Sequence, residues 1–292
     1  MPTPSPSLRD RVVPGIRRGG RVILDRLPDT WATKVRTRLG PRLGIVGTNT
    51  YLRIPTAASV VVTDDSDHAE CPLCGTVADT FLPFGIKSVR PDRQCPACGS
   101  LERHRLMWLF FALRTDLFTR PQQVLHFAPE GTISVRLGAL PTIDYLTADL
   151  DPTQAMVQMD ITDIDRPDAS FDVIFASHVL EHVPDDVGAM RELRRILRPD
   201  GWAVLEVPIY GTTTIEDPTL TDPVERTRRF GQHDHVRMYG QDGVFAARLA
   251  EAGFDVTVVP LADELGPAAT RRFRLDPKER VYLCRPGSVT PG

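Results

Sequence analysis

An α/β fold, with a doubly wound and mostly parallel sheet of seven strands preceded by a small metal-binding module and a basic arm, is what this 292-residue sequence predicts. Three observations carry the prediction. From about residue 121, short apolar strands alternate with amphipathic helical runs. Four of the five cysteines stand in two matched pairs between residues 71 and 98. Residues 1–60 hold 11 Lys/Arg against 3 Asp/Glu, whereas the remainder holds 24 against 35.

The length suits one large domain plus a small module. We expect a basic N-terminal arm at 1–66, a cysteine module with its following helix at 67–118, and the main domain at 119–292 with an insert at 210–240. The longest apolar run, "LMWLFFAL" at 106–113, is far short of the roughly 20 residues that span a bilayer, and it follows Arg103, His104 and Arg105. The leader "MPTPSPSLRDRVVPG" lacks the apolar centre of a secretory signal, so a cytoplasmic location is expected.

The arm comes first. A cationic segment on an acidic body suits nucleic acid, an anionic membrane surface, or the body's own acidic face. Val22, Ile23, Leu24, Leu27, Trp31 and Val35 recur at roughly helical spacing. The stretch "TNTYLRIPTAASVVVT" that follows is strand-like.

The cysteine module reads Cys71-Pro72-Leu73-Cys74-Gly75 and Cys95-Pro96-Ala97-Cys98-Gly99, with 20 residues between Cys74 and Cys95. Two such knuckles supply four thiolates for one tetrahedral zinc and resemble a zinc ribbon. Four protein ligands leave no open position, so the zinc is expected to be structural. A redox dithiol pair is the rival reading. "SLERHRLMWLFFALRTD" continues as a helix, with Ser100 the expected cap. His104 is expected to pack or to lie at the surface.

The strands of the main domain are then "QVLHFA", "DYLTADL", "AMVQMD", "FDVIFAS", "WAVLEVPI", "FDVTVVPL" and "RVYLC". Helical runs at 184–197 and 241–253 lie between them, the first with Val187, Met190, Leu193 and Leu197 on one face. Cys284, in the last strand, is expected to be a core thiol. Ligands of doubly wound sheets sit beyond the carboxyl ends of the strands at the switch point.

Phe171-Asp172-Val173, Leu180-Glu181-His182-Val183, Glu192-Leu193 and Leu197-Arg198-Pro199-Asp200-Gly201 together closely resemble class I S-adenosylmethionine-dependent methyltransferases of the type 11 kind. The family usually carries glycine where this chain has Asp200. The resemblance covers roughly 121–286 and is most specific over 170–208. The ribbon joined to "GSLERHR" looks like a subgroup of these enzymes. It implies a Rossmann-like fold, S-adenosylmethionine as cofactor and methyl transfer as the activity.

The family's first strand ordinarily ends in an acidic residue and a glycine-rich turn. Here His126 takes the acidic position, and Ala128 and Glu130 take the first two glycine positions before Gly131. Adenosylmethionine carries a sulfonium and an ammonium, so Glu130 is expected to serve its methionine end. A degenerate loop that has lost the cofactor is the bland alternative. Asp149 and Leu150 end the second strand, where a carboxylate can accept from both ribose hydroxyls, with Asp151 as substitute. Asp160 and Ile161 end the third and suit the adenine. Ser177 and His178 end the fourth and should line the pocket.

For the acceptor, "GQHDHVRMYG" in the insert concentrates His233, Asp234 and His235. His235 is the first expectation for a general base, His233 the second, with Asp234 orienting either and His178 a rival. His182 is the weaker rival. A structural turn or a metal pair are the other readings of His-x-His. The function expected is O-methylation of a sugar, glycan or small metabolite. An RNA methyltransferase gripping phosphate with ribbon and arm is the alternative, weakened by the acidic body and the lack of interleaved stacking aromatics. A non-enzymatic zinc scaffold is the third reading.

Overall fold

The computed structural model describes residues 21–23, 51–61, 68–85 and 89–287. Most of the basic arm lies outside these residues, including 24–35 of its expected amphipathic helix; Val22 and Ile23, the start of that expected helix, stand instead in a strand. The chain forms two compact units. The first takes the described residues within Met1–Pro121, with Glu130–Asp144 and Pro260–Arg280; the second takes Gln122–Pro129, Tyr145–Val259 and those within Val281–Gly292. One piece from mid-chain and one from near the C-terminus therefore group with the cysteine module.

In the first unit, strand β1 (Arg21–Ile23) pairs antiparallel with β2 (Tyr51–Arg53). The strand-like reading of the next residues is corrected at α1 (Ala57–Val60), a single helical turn. Its cause is local: Thr56 and Ser59 cap each other's backbone reciprocally. Two small hairpins follow, β3 (Ala69–Glu70) with β4 (Val77–Ala78), and β5 (Leu82–Phe84) with β6 (Arg90–Gln94). Helix α2 (Glu102–Arg114) is buried along Leu106–Phe111 without a polar face, as expected of a helix packed on all sides. Arg105 on it is fully buried. Its guanidinium donates to the carbonyls of Phe273 (2.7 Å), Arg93 (3.0 Å), Ser100 (2.6 Å) and Arg274 (2.6 Å). Each donor edge thus has an acceptor, which is the condition for tolerating a buried cation.

In chain order there follow β7 (Gln122–Phe127), α3 (Gly131–Leu137), β8 (Ile143–Asp149), β9 (Val157–Gln158), β10 (Phe171–Ser177), α4 (Asp186–Ile196), β11 (Leu197–Glu206), β12 (Ile215–Glu216), α5 (Pro223–Phe230), β13 (Arg237–Met238), α6 (Val244–Glu251), β14 (Phe254–Val259), α7 (Leu261–Arg272) and β15 (Val281–Pro286). Helices α3 and α7 belong to the first unit.

The second unit is built on a seven-stranded sheet of order β14-β15-β11-β10-β7-β8-β9. β10 runs parallel to β7 and β11, β8 parallel to β9, and β15 antiparallel to β11 and β14. The chain moves outward from β7 to β9, then returns to β10 on the other side, so the switch point lies between β7 and β10. This is a Rossmann-like, doubly wound arrangement, as expected. The core packs Leu125, Phe127, Ile174 and Ala176 with Leu193, Ile196, Leu205, Phe245 and Leu249. Gly201 is required in β11, since a Cβ there would meet the Asp172 carbonyl at 2.7 Å; the neighbouring Asp200 is exposed and free to vary.

The insert at 210–240 is ordered rather than loose. β12 and β13 form a hairpin. Buried Arg237 donates to the carbonyls of Leu180, Val183 and Pro184, and Tyr239 donates to Asp186. Arg248 joins Asp186 (2.8 Å) to Glu216 (2.6 Å). Arg237 and Tyr239 therefore hold the insert in place.

Candidate functional site

Cys71 and Cys74 sit in the turn between β3 and β4, and Cys95 and Cys98 in the matching turn after β6. Each knuckle closes in the same way: Gly75 N–H donates to Cys71 O (2.8 Å) and Gly99 N–H to Cys95 O (2.9 Å). Both glycines adopt φ near +75° (76° and 73°), the left-handed conformation that glycine takes without penalty. The Sγ atoms of Cys71 and Cys98 lie 3.6 Å apart and those of Cys74 and Cys95 3.7 Å apart. A tetrahedron with metal–sulfur bonds of 2.3 Å has edges of about 3.8 Å, so the donor set fits such an ion. Ser100 Oγ lies 3.2 Å from Cys71 Sγ and 3.3 Å from Cys98 Sγ, and Thr76 Oγ1 3.2 Å from Cys74 Sγ. This corrects the role expected of Ser100. It is turned to sulfur, and the N-terminus of α2 is closed instead by His104, whose Nδ1 accepts from Leu101 N–H (3.1 Å).

Glu130 caps α3 with its carbonyl, which accepts from Ile133 and Ser134 N–H; Gly131 is buried behind it. The Glu130 carboxylate accepts from Arg103 Nε (2.9 Å) and Nη2 (2.5 Å), and lies 2.8 Å from His104 Nε2. The charge expected to face a cationic ligand is therefore already balanced within its own unit. Of the two roles expected of His104, packing or surface, it takes the packed one, buried and bridging Leu101 N–H to Glu130.

The remaining cofactor candidates lie in the second unit. Ala128 follows β7 with φ +46°, a left-handed conformation that glycine would take without penalty. Its N–H donates to Ala148 O (2.9 Å). Asp149 ends β8 half-buried; Oδ1 accepts from Asp151 N–H (2.8 Å), leaving Oδ2 without a protein partner among the described residues. Leu150 beside it is exposed. Asp160 is exposed and folded into a turn with Thr162 (2.7 and 2.8 Å), while Ile161 is buried in the core. The strand read as "AMVQMD" shortens to β9, with Asp160 in an isolated bridge. Ser177 is buried and its Oγ has no partner. His178 follows it at φ +58°, with its side chain 34% exposed and Nδ1 3.5 Å from Glu181 Oε1.

The insert returns to this strand end because Val236 N–H donates to Glu181 O (3.1 Å). That brings His235 to His182, the rings perpendicular at 4.6 Å. His235 is only 3% exposed; burial lowers its pKa below the ordinary imidazole value, and the nearby His182 adds to this. His233 stays 74% exposed, with Asp234 at 3.9 Å as its nearest acid. Asp234 Oδ2 instead lies 3.3 Å from His182 Nδ1. Glu181, a family-motif residue, was not singled out by sequence reasoning. It is buried with both carboxylate oxygens unpartnered.

Residues 140–205 match the family model described as a methyltransferase domain. A 27-O-demethylrifamycin SV methyltransferase of Amycolatopsis mediterranei is 41% identical over 109 residues, which is 37% of this chain and 38% of that protein. An uncharacterized 37.1 kDa protein in a Streptomyces fradiae transposon is 40% identical over 106 residues, 35% of this chain and 30% of that protein. The chain thus spans well under half the length of these curated relatives. Among solved structures, the O-methyltransferase of a Brevibacillus brevis trans-AT PKS multienzyme with S-adenosyl-L-homocysteine aligns at 15% identity and TM-score 0.41, covering 58% of this chain and 68% of that one. A Burkholderia thailandensis 1,6-didemethyltoxoflavin-N1-methyltransferase aligns at 18% identity and TM-score 0.37, covering 58% and 72%. The likeness to a methyltransferase domain is thus carried by residues 140–205, which span β8 to β11. Among the described residues no helix is long and apolar enough to cross a membrane.

Proposed function

We propose that this chain, carrying an S-adenosylmethionine-dependent methyltransferase domain, methylates a hydroxyl of a sugar or small metabolite, with His178 as general base. One observation carries the reading. His178 stands at the carboxyl end of β10, at the switch point, partly exposed and backed by the buried Glu181 carboxylate at 3.5 Å. His235, the first expectation for this role, is buried, and His233 lacks a close orienting acid; exposure and orientation favour His178 over both. The cofactor supplies an electrophilic methyl and leaves as a neutral thioether. Asp149 would accept from its ribose through Oδ2, and Asp160, Leu150, Ile161 and Ser177 would border the adenosine. The O-methylation named for the Amycolatopsis relative supports a hydroxyl acceptor.

An alcohol keeps its proton at neutral pH, so a positioned imidazole near neutral pKa is what the acceptor requires. Glu181 would hold the ring and stabilise the imidazolium. In the first unit we propose that Cys71, Cys74, Cys95 and Cys98 hold a structural zinc. Purified protein given labelled adenosylmethionine and a panel of hydroxylated metabolites should label an alcohol. His178→Ala should lower turnover by roughly 10²–10⁴-fold while cofactor affinity holds. Labelling of RNA alone would favour the nucleic-acid alternative, and unchanged turnover in the variant would remove His178 from the role.

A further inference from the structure

The Glu181 carboxylate is 1% exposed, and neither oxygen has a hydrogen-bond partner. Its ion-pair neighbours are the imidazoles of His178, at 3.5 Å, and His182, at 4.0 Å, and a buried carboxylate so loosely partnered is costly. His235 presents a second orphan. Its Nδ1 lies 3.2 Å from Phe230 O, so the ring proton belongs on that nitrogen. Nε2, buried and unpartnered, is left with its lone pair. His182 repeats the arrangement: Nδ1 lies 3.3 Å from Asp234 Oδ2, and Nε2 faces Glu181 Oε1 at 4.0 Å. One ligand atom from each of Glu181, His182 and His235 lies within 4.8 Å of the others.

We propose that Glu181, His182 and His235 form a binding site for a divalent first-row transition ion, with Asp234 and the Phe230 carbonyl orienting the two imidazoles. Metal-bound histidines donate their second ring N–H to a carboxylate or carbonyl, which fixes the tautomer; both rings have such an acceptor at Nδ1. The donor set is one oxygen and two imidazole nitrogens, which suits zinc, cobalt, manganese or iron rather than magnesium. Around an ion with bonds near 2.1 Å the donors would sit about 3.4 Å apart, a contraction within reach of side-chain rotation. With Asp234 counted, two carboxylates balance the dication. Three protein ligands leave coordination positions open, unlike the four thiolates of the first unit.

The backbone is braced for this. Val236 N–H donates to Glu181 O, and Arg237 grips the carbonyls of Leu180, Val183 and Pro184. The insert is thereby fixed where it delivers His235 to Glu181. The site goes beyond the methyl-transfer reading: it shares Glu181 with the proposed support of His178, and metal binding is measured without any methyl transfer.

The test uses full-length protein, briefly treated with EDTA to remove loosely held metal, then equilibrated with Co(II) in dialysis. One cobalt per chain is expected, without the thiolate-to-cobalt absorption that cysteine ligation would give. Glu181→Gln and His235→Ala should each weaken that binding by at least tenfold. Asp234→Asn, at a half-exposed position that leaves the buried ligands intact, should weaken it roughly 10–100-fold. Circular dichroism confirms that each variant is folded. Absence of cobalt beyond thiolate-bound ion overturns the proposal, as does binding that all three folded variants retain unchanged.

Discussion

Ala128 and His178 end the two central strands of the sheet, and both stand in the left-handed region, at φ +46° and +58°. Since Phe127 pairs with Ala176, Ala128 lies opposite Ser177, one residue short of His178. Two of the five non-glycine residues with positive φ among the described residues thus stand at the switch point. A non-glycine residue held there costs on the order of 1–3 kcal/mol.

Ala128→Gly should release part of that strain, raising stability by up to about 1 kcal/mol after the entropy of the more flexible unfolded chain is counted. Ala128→Val should lower it by more than 2 kcal/mol, because a β-branched residue tolerates positive φ least. Urea unfolding of both variants measures this; equal stability would mean that the turn relaxes without cost.

Asp149→Ala should weaken adenosylmethionine binding by roughly ten- to a hundredfold, equivalent to about 1.5–3 kcal/mol for a charge-assisted acceptor. Titration calorimetry reads it directly. Affinity equal to wild type would shift the ribose role to Asp151.

Glu130→Gln should destabilise the first unit, since Arg103 loses its anionic partner and His104 its neighbour. A loss of about 1–3 kcal/mol is expected. Comparing thermal unfolding with cofactor affinity separates this role from ligand binding: a variant of full stability and poor affinity would restore the unpaired-carboxylate reading.

Zinc should remain at one ion per chain after brief chelation and should leave only with prolonged chelation or thiol modification. Its loss should melt the hairpins around the four cysteines, because structural zinc contributes folding energy outright. Cys95→Ser should do the same. Metal analysis together with hydrogen exchange over residues 68–100 checks it.

Acid should loosen the insert through Glu216. Arg248, then Arg237, depresses its pKa, against some desolvation. The unfolded chain therefore takes up the proton first as pH falls through the ordinary glutamate range of about 4.3. The contribution is full above that range and is lost as pH drops through the folded value. At neutral pH Glu216→Gln should cost about 1 kcal/mol or less, as half-exposed pairs do. That difference should vanish under acid. A pH-independent difference would assign the effect to packing.

The sheet was legible because each strand is a short apolar run bounded by turn residues, and β7, β8, β10 and β11 fall where those runs stand. The cysteine knuckles were legible because both halves of each ligand pair lie within four residues. Glu130 was not. Its partners Arg103 and His104 stand 27 and 26 residues away, and no local pattern joins them. The same holds for Glu181 and His235, which the insert brings together across more than fifty residues. Reading stopped at α6 for another reason: the expected helix start at 241 is delayed to Val244 because Gly243 turns left-handed at φ +78°.

The four carbonyls gripped by Arg105 also set an order of events at the ribosome. Phe273 and Arg274 lie 168 and 169 residues downstream of it. Until those residues leave the exit tunnel, half of the guanidinium's acceptors do not exist, and its burial would carry the full cost of an unsatisfied cation. Glu70 waits longer still within the same unit, for Arg272, 202 residues on. The cysteine hairpins are made early but finished late. A nascent chain halted before residue 270 should therefore leave them open to proteases and to thiol-reactive reagents.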